Sequence, residues 1–334
     1  MKLLNHLFEV HSICDVSKNA LDHVSQKFSI KNTTTNYQDI LNDTEVEAIM
    51  ILCSDHFHSE VAINGLKSNK SVFIEKPMCL TEEEANLIIK AKNDTNGKVF
   101  IGYQRRYAAA FEKAKDIIKE MKNISYVRVR DIIGPNDYFV NQSGTNPVKF
   151  NDIPQEAKEE FKNRDEQIFD AVISDKDKKH LYPTYRLLGS LGSHDLSAMR
   201  ELIGEPKSVI ASTNKNNFIT TFFDYDSFIT TLEMGVDDCN GIFDAHIEVY
   251  GDGKRVKVQY DTPYIKGLPI TLHVQNNIDN EFVDQTYRPT YEDAYTLEYK
   301  QFYEYVRNNK LPKTTPEDAK QDLRTFKLII DKLP

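Results

Sequence analysis

The stretch Ser71-Val72-Phe73-Ile74-Glu75-Lys76-Pro77 decides how the fold of this chain is interpreted. Its apolar, β-branched first part is typical of a buried parallel strand, and an acid, a lysine and a proline follow directly. Thr81 and Glu84 then form a capping-box pattern, which predicts that a helix begins there. Open α/β sheets bind ligands at the carboxyl ends of their strands, so we expect Glu75 and Lys76 to lie at a crevice. The alternative is a surface Glu-Lys pair followed by a turn.

Predicted strands and helices alternate on both sides of this stretch, and residues 1–7 read as the tail of an amphipathic helix. The predicted strands span residues 8–14, 46–53, 71–75 and 98–102, and the predicted helices span residues 21–28, 37–41 and 59–68 and the segment after Thr81. Such alternation predicts βαβ units and a parallel sheet. We therefore expect a Rossmann-type α/β domain over residues 1–103.

The rest of the chain, residues 104–334, has a different pattern. Helices are predicted at residues 108–121, 154–173, 189–203, 293–307 and 316–332, and strands at residues 125–132, 208–213, 218–223, 227–234, 245–250 and 255–260. The turn Gly251-Asp252-Gly253 predicts a hairpin between the last two strands, and residues 134–183 form a long polar excursion. We expect an α+β domain with a mostly antiparallel open sheet and helices on one face.

Composition limits the classes of partner. The chain has 334 residues and a net charge of −9, without a long basic run, which argues against nucleic acid. No apolar stretch reaches the roughly 18 residues of a membrane span, and the start lacks a signal-peptide pattern. Four scattered cysteines without a CxxC pair favour reduced thiols in the cytoplasm and give no indication of a metal site.

Three ordered landmarks carry a family resemblance. Ser54 and His58 precede Glu75-Lys76-Pro77; the segment Gly102-Tyr103-Gln104-Arg105-Arg106-Tyr107 follows; Gly192-Ser193-His194-Asp195 comes third. In this order they resemble the Gfo/Idh/MocA oxidoreductases over essentially the whole chain. The stretches at residues 189–195 and 260–264 look most similar to fungal inositol-dehydrogenase-like members.

The resemblance implies hydride transfer between a sugar or cyclitol hydroxyl carbon and the nicotinamide of NAD or NADP. It implies that Lys76 and His194 are catalytic. A histidine of near-neutral pKa can take the hydroxyl proton, and a lysine can stabilise alkoxide charge or act as the base. The implied cofactor contacts are Asp15, Ser54, His58, Glu75, Lys76 and Arg105, and the implied substrate contacts are Gln104, Tyr185, Ser190 and His194.

Several of these residues have a second interpretation. Asp15 favours NAD, because it can bind both ribose hydroxyls and repel a 2′-phosphate, whereas Ser17 and Lys18 could shift the preference toward NADP. Either Asp15 or Ser17 could instead cap the next helix. Lys76 could pair with Glu75, His194 could bond locally at a helix start, and Tyr185 could belong to a packing cluster. His56 has no matching role, and we expect it to be an exposed loop residue.

The sequence departs from the family pattern in two ways. It has no G-x-G-x-x-G turn, so we expect the natural protein to be longer and to begin with the missing central strand and that loop. Ser190 and Ser197 stand where the family commonly has acids. These departures keep a second function class open, a catalytically inactive nucleotide-sensing regulator. Relatives dimerise through the exposed face of the second-domain sheet, so we expect a homo-oligomer.

Overall fold

The computed structural model describes residues 4–145, 147–173 and 176–334, which cluster into two compact units. The first unit contains residues 1–102, 148–176 and 299–323, and the second contains residues 103–147, 177–298 and 324–334. Two later segments, residues 148–176 and 299–323, pack with the N-terminal residues in the first unit. The division into domains at residues 1–103 and 104–334 stays a prediction.

The first unit contains two parallel sheets. Strands β3 (Ala48–Ile51), β4 (Ser71–Glu75) and β5 (Val99–Gly102) form one sheet in that order, and β1 (Ser12–Cys14) pairs with β2 (Asn32–Thr34) in the other. The helices that follow these strands are α1 (Lys18–Phe28), α2 (Tyr37–Asn42), α3 (His58–Lys67) and α4 (Glu82–Thr95). The predicted Rossmann-type parallel fold is thus confirmed, with shorter strands than expected.

Residues 71–75 form the predicted strand, and the predicted helix begins after Thr81. Val72, Phe73 and Ile74 are fully buried in β4, as expected for a continuous apolar parallel strand. The Glu84 amide donates to the Thr81 hydroxyl at 3.1 Å, and the Thr81 amide donates to the Glu84 carboxylate at 3.0 Å. This reciprocal pair is the predicted capping box at the start of α4.

An aromatic cluster forms much of the first unit's core. The rings of Phe73 and Phe100 stack with their centroids 5.5 Å apart, and Phe302 meets both edge-on at 5.5 and 5.7 Å. Phe302 is 1% exposed and lies in the segment 299–323. Burial of this ring explains why the late segment belongs to the first unit.

The second unit is built on one sheet of eight strands. Their order is β13-β12-β11-β10-β6-β9-β8-β7, and every neighbouring pair is antiparallel except β6 and β9. The strands are β6 (Ile124–Ile133), β7 (Ser208–Lys215), β8 (Phe218–Asp224), β9 (Ile229–Val236), β10 (Phe243–Gly251), β11 (Lys254–Tyr260), β12 (Thr271–Ile278) and β13 (Glu281–Tyr287). The mostly antiparallel α+β prediction is confirmed.

Helices α5 (Gln104–Tyr107), α6 (Ala109–Lys119), α7 (Asn136–Val140), α9 (Tyr182–Leu187) and α10 (Ser193–Ile203) belong to this second unit. Helix α8 (Gln155–Val172) lies in the first unit, and the last helices, α11 (Ala294–Asn308) and α12 (Pro316–Lys332), each contribute residues to both units. Helix α6 contacts β11 and β12, and α10 contacts β6. Alternate residues of β6, namely Val127, Val129, Asp131 and Ile133, are buried.

The helix tail predicted at residues 1–7 lies partly outside the described part of the chain, which begins at Leu4. Leu4 has 3-10 conformation, and the Leu7 and Phe8 amides both donate to its carbonyl at 2.9 Å in the turn that follows. Two other predictions differ from the structure. Strands β2, β12 and β13 were not predicted. The helix predicted at residues 189–203 begins as a π-helical turn, Leu188–Gly192, before α10. Among the described residues, no helix combines the length and apolarity that a membrane span requires.

Candidate active site

His58 joins the carboxyl ends of β3 and β4. Its ring is 2% exposed, with Nδ1 2.8 Å from the Pro77 carbonyl oxygen and Nε2 3.1 Å from the Cys53 carbonyl oxygen. Burial lowers the pKa of His58 although both carbonyls oppose the shift, so the ring is neutral near pH 7 and donates to one of them. His58 therefore fixes the turn that presents Lys76.

Glu75 ends β4 as a half-buried acid. Burial raises its pKa to about 7, against the opposing effects of the Lys76 charge and the Lys76 amide. Gly102 on β5 makes room for it, because a Cβ there would lie 2.9 Å from Glu75 Oε2 and 2.8 Å from Phe73 Cζ. The Lys76 ammonium also acts on the pKa of His58. The sheet edge thus holds a lysine beside an acid that is half protonated near neutrality.

Asp15 is exposed directly after β1, and Ser17 caps α1. The Ser17 hydroxyl accepts from the Ala20 amide at 3.0 Å, and Asp15 accepts from the Ser17 amide at 2.8 Å. Of the two predicted capping residues, Ser17 is therefore the one that caps.

Cys53 follows directly after β3. Burial raises its pKa to about 11, and the charges of Asp55 and Asp15 raise it further. The carboxyl ends of β1 and β3 are close enough to interact.

The prediction that His56 is an exposed loop residue is wrong. The residue is 3% exposed. Its Nδ1 lies 2.8 Å from the Ser54 hydroxyl, its Nε2 lies 3.0 Å from Asp165 Oδ1, and Phe161 packs on the ring with centroids 4.2 Å apart. The burial comes from helix α8, more than a hundred positions later in the chain, so local sequence gives no signal of it.

Arg105 belongs to a buried ionic cluster in the second unit. Its Nη1 lies 2.6 Å from Asp195 Oδ1 and 3.0 Å from Asp131 Oδ2, and both carboxylates are fully buried. Its guanidinium also lies over the Tyr260 ring, 5.1 Å from the centroid. Burial raises the pKa of Asp195 well above its usual range; Arg105 opposes this and Asp131 adds to it. Burial thus favours the protonated form of Asp195 beside the Arg105 cation.

This ionic cluster was not predicted from the sequence. The signal available was Asp131 itself, an acid at an alternate position of β6 where the neighbouring buried residues are apolar. The prediction that Arg105 contacts cofactor or substrate stays a prediction. Because two carboxylates already engage its Nη1, such a contact requires other N–H groups of the guanidinium.

A cleft in the second unit has Gln104 and Arg105 on its wall. It is a shallow cleft that is open to solvent, and the stretch Tyr260–Pro263 and residues 292–295 complete much of its lining. Gln104, a predicted substrate contact, is 4% exposed. The substrate contact of Gln104 stays a prediction.

The other predicted second-unit residues do not line this cleft. His194 is half-buried in the first turn of α10, and its carbonyl accepts from the Ser197 hydroxyl at 3.2 Å. Ser190 is exposed in the π-helical turn. Tyr185 is 4% exposed and meets Phe326 edge-on at 5.9 Å, which gives it a packing role whatever else it does. The π-helical turn is a feature often found at functional sites.

Two models of one protein family match this chain, one in its N-terminal part and one in its C-terminal part. Residues 2–103 match the family model described as an oxidoreductase family with an NAD-binding Rossmann fold, and residues 178–332 match that family's C-terminal alpha/beta domain. The chain belongs to the Gfo/Idh/MocA oxidoreductase family. The predicted family, both fold classes and the nucleotide-binding character of the first domain are thereby confirmed.

Curated relatives include inositol dehydrogenases. The chain is 36% identical over 113 residues to the inositol 2-dehydrogenase of Salmonella typhimurium, a stretch that covers 33% of this chain and 33% of that relative. It is 21% identical to the scyllo-inositol 2-dehydrogenase (NAD(+)) of Bacillus subtilis, over 91% of this chain and 80% of the relative. The alignments to the first relatives thus span about a third of their length.

Solved structures show the same fold. A levoglucosan dehydrogenase in complex with NADH and levoglucosan matches with a TM-score of 0.72 at 16% identity, covering 96% of this chain and 87% of that one. A 3-ketoreductase from Actinomadura kijaniata with NADP and TDP-benzene matches with a TM-score of 0.71 at 12% identity, covering 97% and 90%.

The residues at the carboxyl edge of the first unit fit two ends of a dinucleotide. Asp15 is an exposed acid directly after β1, the residue type that accepts from ribose hydroxyls in dinucleotide-binding folds, and Leu52 exposes 60% of its surface after β3 and offers an apolar contact. Glu75 and Lys76 offer an acid and a cation at the end of β4. The 334 residues contain no G-x-G-x-x-G turn, so we assign no residue to the pyrophosphate.

Proposed function

We propose that the chain is an NAD(P)-dependent oxidoreductase that acts on a secondary alcohol of a sugar or cyclitol. The observation that carries the proposal is the Glu75-Lys76-Pro77 turn, held by His58 at the carboxyl edge of a sheet of NAD-binding type. Relatives named as inositol 2-dehydrogenases support the substrate class.

Lys76 and His194 are the proposed catalytic residues. When bound, the nicotinamide supplies the hydride acceptor or donor. Lys76 binds the substrate hydroxyl and lowers the energy of the developing alkoxide through its charge. His194, half-buried at the start of α10, takes the hydroxyl proton in oxidation and returns it in reduction. Ser190 orients the substrate, and Gln104 and Tyr185 contribute to its binding.

The remaining cofactor contacts follow from the same edge. Asp15 would bind the adenosine ribose, and Ser54, Glu75 and the turn fixed by His58 would border the nicotinamide end. Arg105 would contribute through its remaining N–H groups.

Turnover assays test the proposal. The protein is incubated with NAD or NADP and a series of inositols and aldoses, and the absorbance of the reduced dinucleotide is followed. We expect turnover that Lys76→Ala abolishes and that Lys90→Ala, at an exposed lysine of α4, leaves unchanged. Equal turnover by Lys76→Ala and the unsubstituted protein would remove Lys76 from the mechanism.

A catalytically inactive nucleotide-sensing regulator is the second candidate. The observation that favours it is that Asp195, the acid next to His194, is buried against Arg105 and so cannot assist His194. Tight dinucleotide binding without turnover on any polyol would favour the regulator over the dehydrogenase.

We also propose that the chain is a cytoplasmic homo-oligomer that associates through the exposed face of the second-unit sheet. That face carries large apolar side chains, with Phe222 41% and Ile229 43% exposed, beside the ion pair of Arg130 and Asp244. Light scattering after size exclusion tests this, and a monomeric mass at micromolar concentration would contradict it.

A further inference from the structure

Residues 148–172, here named the strap, run along the predicted nucleotide-binding edge of the first unit. At their start, Asp152 Oδ1 accepts from the Ser17 hydroxyl at 2.5 Å and Oδ2 accepts from the Asn19 amide at 3.0 Å. The neighbouring Phe150 ring lies 5.7 Å from the ring of His23 on α1. The strap thus places a carboxylate on the first turn of the helix that follows Asp15.

Asp152 accepts hydrogen bonds from donors at the start of α1 that an anionic ligand would otherwise use. The first amides of a helix have no partner within the helix and carry the positive end of its dipole. Here the Asn19 amide binds Asp152 and the Ala20 amide binds Ser17. The Asn19 amide and then the Ser17 hydroxyl lower the pKa of Asp152, so it is ionised at neutral pH.

The far part of the strap is anchored independently. Asp165 bonds the buried His56, and Phe161 packs on the same ring. Arg164 pairs with Glu60 and lies over the Phe57 ring, 4.4 Å from its centroid. These contacts hold helix α8 on the turn after β3, so the position of Asp152 does not depend on its own two hydrogen bonds alone.

We infer that Asp152 makes the nucleotide site selective for NAD by excluding a 2′-phosphate. The inference rests on the proposed function. An adenosine ribose bound by Asp15 would place a 2′-phosphate beside the start of α1, where a second carboxylate already uses the amide and hydroxyl donors. The phosphate would meet two negative charges, Asp15 and Asp152, and would have to displace one of them from its donors. Ser17, which could have favoured NADP, is engaged by Asp152 instead.

Calorimetric titration with NADH and with NADPH tests the inference, because it reads binding rather than turnover. We expect the unsubstituted protein to bind NADH more tightly. Asp152→Asn keeps the side-chain shape and removes the charge, so it should strengthen NADPH binding roughly tenfold and leave NADH binding nearly unchanged. Asp152→Ala should act in the same direction. The control is Asp170→Asn, the same charge change at an exposed position of the strap.

The outcomes separate the two proposals. A ratio of dissociation constants that both Asp152 variants leave unchanged, or that Asp170→Asn shifts equally, overturns the role of Asp152 and leaves the oxidoreductase proposal intact. A native preference for NADPH does the same. If neither dinucleotide binds the unsubstituted protein, the proposed function itself fails and takes the inference with it.

Discussion

Ionisation of the half-buried Glu75 carboxyl should lower the free energy of unfolding as the pH rises, and Glu75→Gln should remove this pH dependence. The carboxyl lies at the end of β4 over Gly102, and burial raises its pKa from 4.5 to about 7. The folded chain therefore binds this proton more tightly than the unfolded chain. The favourable contribution of the protonated acid is complete below pH 4.5 and is lost as the pH rises through about 7.

The size of the effect follows from that difference in pKa. Each tenfold change in proton affinity corresponds to about 1.4 kcal/mol, so a rise in pKa from 4.5 to about 7 gives an upper bound of about 3.5 kcal/mol. Glu75 is half-buried, and solvent screening brings the expected value to about 1 to 3 kcal/mol. Glutamine has nearly the same volume and cannot ionise, so the variant should lack this dependence.

Urea unfolding followed by circular dichroism measures the difference at a series of pH values. The free energy of unfolding of Glu75→Gln relative to the unsubstituted protein should rise by about 1 to 3 kcal/mol between pH 4.5 and a pH above 7. Glu83→Gln, at an exposed position in the first turn of α4, should give a flat difference. A flat difference for Glu75→Gln as well would refute the argument, because Glu75 would then titrate alike in both states.

Further substitutions test the second unit and the predicted cap. Arg105→Leu leaves Asp131 and Asp195 buried without their cation, so it should lower the free energy of unfolding by about 3 to 5 kcal/mol; a smaller loss than Asp195→Asn causes would contradict the ionic cluster. Asp195→Asn should gain stability relative to the unsubstituted protein as the pH rises, because the raised pKa of Asp195 makes its ionisation unfavourable, and a gain as the pH falls would be inconsistent with burial. Thr81→Ala should lower stability by about 1 kcal/mol through loss of the bond to the Glu84 amide, and an unchanged melting temperature would show that the cap contributes nothing.

Local signals in the sequence predicted the elements that local interactions determine. The apolar run of β4 and the Thr81 and Glu84 cap need only neighbours along the chain, and both formed as expected. Strand β13 has no such signal, because it is an edge strand with mostly exposed residues, such as Phe282 at 69%. Its hydrophobic alternation is therefore too weak to predict a strand.

The site was predictable to the extent that it lies at strand ends. Lys76 and Asp15 could be placed because each follows an apolar strand. The pairing of Arg105 with Asp195, and the burial of His56 by the strap, join positions about a hundred residues apart. Such pairings depend on sheet register and helix docking, which local patterns do not encode.

The position of Phe302 in the core of the first unit has a consequence for the synthesis of the protein. A nascent chain completes β4 and β5 roughly two hundred residues before the ribosome adds the ring that packs on Phe73 and Phe100. Until then, the apolar surface of those strands must be shielded by something other than its final partner. A fragment cut after residue 103 would keep that surface exposed permanently, so the first unit should be expressed together with residues 299–323, and chaperones should engage the growing chain over this interval.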